Sequence, residues 1–365
     1  MMAYTVLAIN PGSTSTKLAV YQGKQQICET IFYHPAEILE KYSTVAEQLE
    51  MRLKMTFDFL EKNMESVDKL DAVVGRGGVL VPIKSGAYLV TAVMKKRLLE
   101  KPLGQHASNL GALMAAEVAD KVGINAYIYD GVTVDEMWDI AHVTGEKEIT
   151  RACRCHALNM RAVAMQTAEK MRKSYAQVNL IVAHLGGGIT MSAHEHGRMV
   201  DVVLDSEGPL APERAGRIPS NQLLHFAVGE GLGVQELYKR LRGKGGLVSF
   251  FNTSDARIVE ENVKKGDFYA NLIWNAMAYQ IAKGVGELYV TLKGNVDGIV
   301  FTGGMSYSRT LMERIIPWLD YLAPVYVEPG EREMEALAQG VMRVLEGKEK
   351  AHIYDEKTDQ VEVHY

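Results

Sequence analysis

Near the start of the chain the apolar positions fall into two short runs, Tyr4-Thr5-Val6-Leu7-Ala8-Ile9 and Lys17-Leu18-Ala19-Val20-Tyr21, parted by Asn10-Pro11-Gly12-Ser13-Thr14-Ser15-Thr16. Short apolar runs bounded by Gly, Pro, Ser and Asn predict buried strands around a small-residue turn. The pattern returns far down the chain. Asn179-Leu180-Ile181-Val182-Ala183-His184 leads into Leu185-Gly186-Gly187-Gly188-Ile189-Thr190 and Met191-Ser192-Ala193-His194, and Gly197 turns the chain into Met199-Val200-Asp201. The separation is too long for a solenoid period, so the repetition predicts two similarly started domains.

Between and after these hairpins the period changes to that of helices: Val45 to Asn63, Ser108 to Val122, Gly233 to Leu241, Phe268 to Leu292 and a helix from Ser308. Strands are predicted at Ala72-Val73-Val74, Ala126 to Asp130 and Gly298 to Phe301. Such alternation predicts α/β layers. A chain of 365 residues also exceeds what one core usually organises. The boundary is placed near Ala152 to Ala176, where a helix could join the halves, giving domains over 1–160 and 161–345 and a peripheral tail over 346–365. The last helix, Glu331 to Leu345, is expected to cross back onto the first domain. The apolar helix Phe268 to Leu292, with Trp274, Met277 and Tyr279, reads either as interior core or as a contact surface between copies.

Charge and cysteine usage narrow the function classes. A formal net charge of -5 provides no basic footprint for nucleic acid. Cys28, Cys153 and Cys155 lack the spacing of a disulfide framework, a redox pair or a zinc site, so they read as free thiols of a reducing cytoplasm. No apolar run approaches a membrane-spanning length of about 18 residues. The expectation is a cytoplasmic protein with no membrane role.

Turns of Gly, Ser and Thr between strands let backbone N–H groups and short hydroxyls approach a phosphate. One such turn is more often structural punctuation. Two, together with Gly303-Gly304 after a buried strand, favour a nucleotide. No G-x-x-x-x-G-K-[ST] occurs, no G-x-G-x-x-G follows the first strand, and His194-Glu195-His196 does not make H-E-x-x-H. Oxygen-bound magnesium is therefore the better metal expectation.

The residues also carry a family resemblance. Asn10-Pro11-Gly12-Ser13-Thr14-Ser15-Thr16-Lys17 resembles the acetate kinase phosphate hairpin, and His184-Leu185-Gly186-Gly187-Gly188 resembles its second one. Arg76-Gly77-Gly78, Cys155-His156, Glu213-Arg214-Ala215-Gly216 and Phe301-Thr302-Gly303-Gly304 follow in the family's order. Pro11, Thr14, Gly187 and Gly75 to Leu80 are more similar to the butyrate kinase branch. The resemblance implies two actin-like (ribonuclease H-like) domains, each a mixed sheet flanked by helices, with a nucleotide cleft between them. It also implies ATP and Mg2+, a small-carboxylate substrate and a homodimer or larger homo-oligomer. Carried over by position, it puts Asn10 and Glu331 at magnesium. Gly12, Ser13, Thr14, Lys17, His184, Gly186, Gly187 and Gly188 fall on phosphates, and Asp255, Arg257, Gly303, Gly304 and Ser306 against the nucleotide. Arg76, His106, Asp130, His156 and Arg214 surround the acyl substrate.

The chemistry makes its own demands. Phosphoryl transfer needs positioning and cations around the equatorial oxygens, and an attacking carboxylate adds a second anion. Arg76 is assigned to the substrate carboxylate, and Arg214 with His156 to the transferring group. A carboxylic acid is already ionised near neutral pH, so Asp130 is expected to organise an arginine or metal-bound water rather than act as base. The expected activity is reversible phosphorylation of butyrate or a branched four- to five-carbon acid, with acetate or propionate as the alternative acid. A sugar kinase, which needs a base for a hydroxyl, and a non-enzymatic ATP-switched protein are the readings from other classes.

Overall fold

The computed structural model describes residues 3–355. In chain order the strands are β1 Thr5–Pro11, β2 Ser15–Gln22, β3 Gln25–Tyr33, β4 Ala72–Arg76, β5 Ala87–Leu89, β6 Asn125–Tyr129, β7 Asn179–Leu185, β8 Ile189–Glu195, β9 Arg198–Val203, β10 Gly298–Gly303, β11 Val325–Pro329 and β12 His352–Ile353. They form two sheets, ordered β12-β5-β6-β4-β1-β2-β3 and β11-β10-β7-β8-β9. The chain divides into two compact units. One holds the chain up to Glu136 and the segment that begins at Arg332; the other is Met137–Glu331.

In the first unit β1 pairs antiparallel with β2 and parallel with β4, and β4 pairs parallel with β6. Val6 to Ile9 are fully buried, as an unbroken apolar run in a covered central strand should be. Helices Asn109–Val122 and Glu333–Leu345 pack on β1, β4 and β6. The first approaches so closely that a Cβ on Gly75 would stand 2.0 Å from the Gly111 carbonyl oxygen. Only glycine fits there, and that contact fixes the end of β4, where Arg76 emerges.

The second unit repeats the plan. β7 pairs antiparallel with β8 and parallel with β10, and β10 pairs parallel with β11. Alternate residues of β7 serve two cores. Leu180 and Val182 meet Met160, Val163 and Ala164 of the helix Ala157–Lys170. Ile181 and Ala183 share the other cluster with Trp274, Met277 and Ile281 of the helix Phe268–Thr291. Trp274 and Met277 are thus core, whereas Tyr279 is half exposed and its ring stands edge-on to Trp318 at 5.4 Å.

The division differs from the one read from sequence. The helix Ala157–Lys170, expected as the joint, is built into the second unit by its packing on β7 and β10. The closing helix starts at Glu333 and belongs to the first unit. The segment expected to be peripheral contributes β12, paired with β5, and the buried Tyr354. Its remainder, 356–365, lies outside the described residues. No helix among the described residues is long and apolar enough to cross a membrane.

Candidate active site

In the first unit the β1–β2 register places Asn10 opposite Lys17 at the foot of the turn. Gly12 N–H closes the turn on the Ser15 carbonyl at 2.8 Å, leaving Ser13 and Thr14 exposed at its tip. Arg52, from the helix Leu49–Asn63, holds the turn from inside, donating to the carbonyls of Gly12 and Ser15, each at 3.0 Å, and to Thr16 Oγ1 at 2.9 Å. Asn10 Nδ2 donates to Glu333 Oε2 at 2.7 Å, and Arg76 Nη1 donates to the same oxygen at 3.0 Å.

Two further sequence-predicted residues lie in this unit. His106 Nδ1 accepts from Ser108 N–H at 3.2 Å and lies 2.6 Å from that residue's hydroxyl. Burial first, and then the charge of Arg76, hold its imidazole pKa below the usual value. Asp130 follows β6 in the left-handed region at φ 40° and is buried, its Oδ1 accepting Gly86 N–H at 2.8 Å. A non-glycine residue in that region carries backbone strain of the kind found at functional positions.

The second unit gathers His156, His184, the triple glycine and Arg214. The rings of His156 and His184 stack with centroids 3.9 Å apart. His184 Nδ1 accepts from Asn159 Nδ2 at 3.0 Å, which puts the ring proton on Nε2, 3.8 Å from Glu331 Oε1. His156 Nδ1 lies 2.9 Å from Thr190 Oγ1. Arg214 is aimed by Asp205, whose Oδ2 accepts its Nε at 2.9 Å and Arg242 Nη2 at the same distance. Among the described residues a Cβ on Gly187 or Gly188 would meet nothing nearer than 3.4 Å, and one on Gly186 would meet the His184 ring at 3.1 Å and the Gly188 carbonyl oxygen at 3.4 Å. The fold therefore does not demand three consecutive glycines; close approach of a ligand to the backbone would.

Several predicted residues have other engagements. Glu331, expected beside Asn10, lies in the other unit against His184, and Glu333 is the carboxylate at Asn10. Asp255 caps the helix Ala256–Lys264 and forms a two-point ion pair with Arg257, so the two side chains engage each other. The Ser306 hydroxyl donates inward to the Thr302 carbonyl at 2.7 Å. Gly303 is required by backbone packing, while Gly304 opens to solvent. Sequence reading missed Arg52, Asn159 and Asp205. Arg52 alone left a trace, as a cation on the stripe Arg52, Thr56, Phe59, Leu60 that the helix buries.

The pattern of the Acetokinase family matches residues 136–340. The chain is 41% identical over 355 residues to a probable butyrate kinase of Clostridium botulinum and, equally, to butyrate kinase 2 of Clostridium acetobutylicum, each alignment covering 97% of this chain and 100% of the relative. Its fold is similar to the crystal structure of Porphyromonas gingivalis acetate kinase, with a TM-score of 0.78 at 20% identity over 94% of this chain and 100% of the other. The twice-built mixed sheet, the two small-residue hairpins and a likeness that runs almost end to end make this chain a member of the acetokinase family.

Proposed function

We propose that this protein transfers the γ-phosphoryl group of ATP, reversibly and in line, to butyrate or a branched four- to five-carbon carboxylate, giving an acyl phosphate and ADP. The observation that carries the reading is the convergence of Asn10 and Arg76 on one oxygen of Glu333. It joins an oxygen-donor pair suited to a hard cation with a guanidinium suited to a carboxylate. The names of the two clostridial relatives support the choice of acid.

Asn10 with Glu333, rather than Glu331, would hold Mg2+. One carboxylate and one amide suit an ion that keeps several waters and takes its other ligands from nucleotide phosphates. Bound there, the ion would neutralise charge on the β- and γ-phosphate oxygens.

The chain's own groups have separate tasks. Arg76 orients the substrate carboxylate, with His106 beside it. Gly12, Ser13, Thr14, Lys17 and the triple glycine cradle phosphate, and Gly304 lies against the nucleotide. Arg214, fixed by Asp205, and His156, fixed by Thr190, stabilise the transferring group. Asp130 supports the Gly86 turn and takes no proton, because the acid arrives ionised. The half-exposed side of the helix Phe268–Thr291, around Tyr279, is the surface we assign to a homodimer.

The test is ADP release from purified protein with Mg-ATP and acetate, propionate, butyrate, isobutyrate, isovalerate or sugars, against a no-substrate control. Preference for four- or five-carbon acids supports the proposal, and preference for acetate moves the substrate within the family. ATP binding with no turnover of any acid would sink it.

A further inference from the structure

Arg52 is fully buried beneath the first hairpin, and its environment is unusual for a buried cation. Among the described residues its acceptors are the Gly12 and Ser15 carbonyls, Thr16 Oγ1 and Gln48 Oε1, all neutral, and its Nε meets none. Arg76, Arg151, Arg214 and Arg343 each face a carboxylate. Arg52 faces none among the described residues. Its other close neighbour, His34, lies 2.8 Å from Thr16 Oγ1 and is kept neutral, its pKa lowered to about 4 by burial and then by Arg52. Burial also lowers the Arg52 pKa to about 10, which leaves the guanidinium charged at neutral pH. An unpaired buried charge costs several kcal/mol, and holding a turn by its carbonyls does not require one.

We propose that Arg52 is a positioning residue whose counter-ion is the phosphate anion held at the hairpin: its charge biases the turn toward nucleotide phosphates while its donors fix the turn's shape. The inference rests on the reading that ATP phosphates lie at this hairpin. The guanidinium lies behind the backbone carbonyls of Gly12 and Ser15, so it acts through the loop and by its field rather than by touching substrate. The same donors that shape the turn therefore place a positive charge where no side chain of the exposed tip supplies one.

A neutralising substitution tests the charge without removing the clasp. Gln48 Oε1 already accepts Arg52 Nη2 at 2.9 Å, and Gln48→Glu supplies the missing carboxylate in nearly the same shape, at a helix start where an acid is favourable. The dissociation constants of Mg-ATP and of adenosine would be measured by calorimetry for the wild type, Gln48→Glu and Arg52→Lys. Weakening of Mg-ATP by about fifteenfold is expected in Gln48→Glu, the effect of a unit charge roughly 10 Å from an anion at an effective dielectric near 20. Adenosine binding should hold, the melting temperature should stay level or rise because the buried guanidinium gains a counter-ion, and Arg52→Lys, which keeps the charge, should lose less Mg-ATP affinity. Unchanged Mg-ATP affinity in a folded Gln48→Glu, or equal loss for adenosine, overturns the proposal and leaves Arg52 a structural clasp. A wild type that binds ATP but phosphorylates no acid defeats the proposed reaction and leaves this inference standing, whereas a wild type that binds no ATP defeats both.

Discussion

Asn10 Nδ2 and Glu333 Oε2 are 2.7 Å apart although 323 positions separate them in the chain. Glu331, two residues earlier, faces His184 instead. If Asn10 and Glu333 hold the metal, Glu333→Gln should raise the Mg2+ concentration for half-maximal rate at least about tenfold, as loss of a metal-supporting group commonly does. Glu331→Gln should leave it within about twofold. Titrating MgCl2 at fixed ATP while following ADP release checks both, and the reverse ranking would return the metal role to Glu331.

Arg76 shares that carboxylate oxygen and lies mostly buried. Truncating it removes the proposed partner of the substrate carboxylate and leaves Glu333 without its cation. Arg76→Ala should lower kcat/KM for the acid by about a hundredfold or more, corresponding to the roughly 3 kcal/mol lost when one member of a buried charged pair is removed. Arg76→Lys should recover only part of this, since an ammonium lacks the planar fork. Steady-state kinetics at saturating ATP tests it. A rise confined to the KM for ATP would move Arg76 from the acid to the phosphates.

What the sequence revealed and concealed follows from the range of the forces involved. The β1–β2 and β7–β8 hairpins were readable because buried strands need apolar runs and their turns need small residues, both local requirements. β3 was not. As an edge strand it leaves Ile27 and Ile31 partly exposed among polar neighbours, so no buried run marks it. β12 is two residues long and exists through its pairing with β5. The return of Glu333 to Asn10 is likewise a long-range matter, and local pattern alone could not choose among Glu331, Glu333 and Glu335.

Two buried histidines should make stability fall in acid. Burial lowers the pKa of His34 from 6.5 to about 4 and that of His194 to about 3, assisted by Arg52 and Arg161 respectively. Above pH 6.5 both folded and unfolded states leave these rings neutral, so they contribute no pH dependence. Below it the unfolded chain takes up protons that the folded chain refuses. Each ring then costs about 1.4 kcal/mol per pH unit until its folded pKa is reached. Urea midpoints should therefore drop steadily from pH 6.5 toward 4. In imidazole proton NMR neither His34 nor His194 should titrate between pH 8 and 5, and a midpoint above 6 for either ring would contradict this account.

Adjacent glycines at the end of β10 should separate fold from function. Gly303 has φ +89°, and a Cβ on it would stand 2.4 Å from the Leu185 carbonyl oxygen, at the base of the triple-glycine turn. Gly303→Ala should cost roughly 3 kcal/mol, combining left-handed strain with overpacking against backbone that cannot yield. Among the described residues Gly304 has no neighbour within 4 Å of such an atom. Gly304→Ala should stay within about 0.5 kcal/mol of the wild type, as open surface changes usually do. Its KM for Mg-ATP should nevertheless rise, by about tenfold, because the added methyl would occupy the face assigned to the nucleotide; one misplaced methyl can cost 1–3 kcal/mol at a binding surface. Denaturant unfolding and ATP kinetics on the two variants give the answer. A Gly304→Ala protein with wild-type stability and wild-type KM for ATP would remove the nucleotide from that face, while a marginally affected Gly303→Ala would mean that the β7 and β10 ends can part without loss.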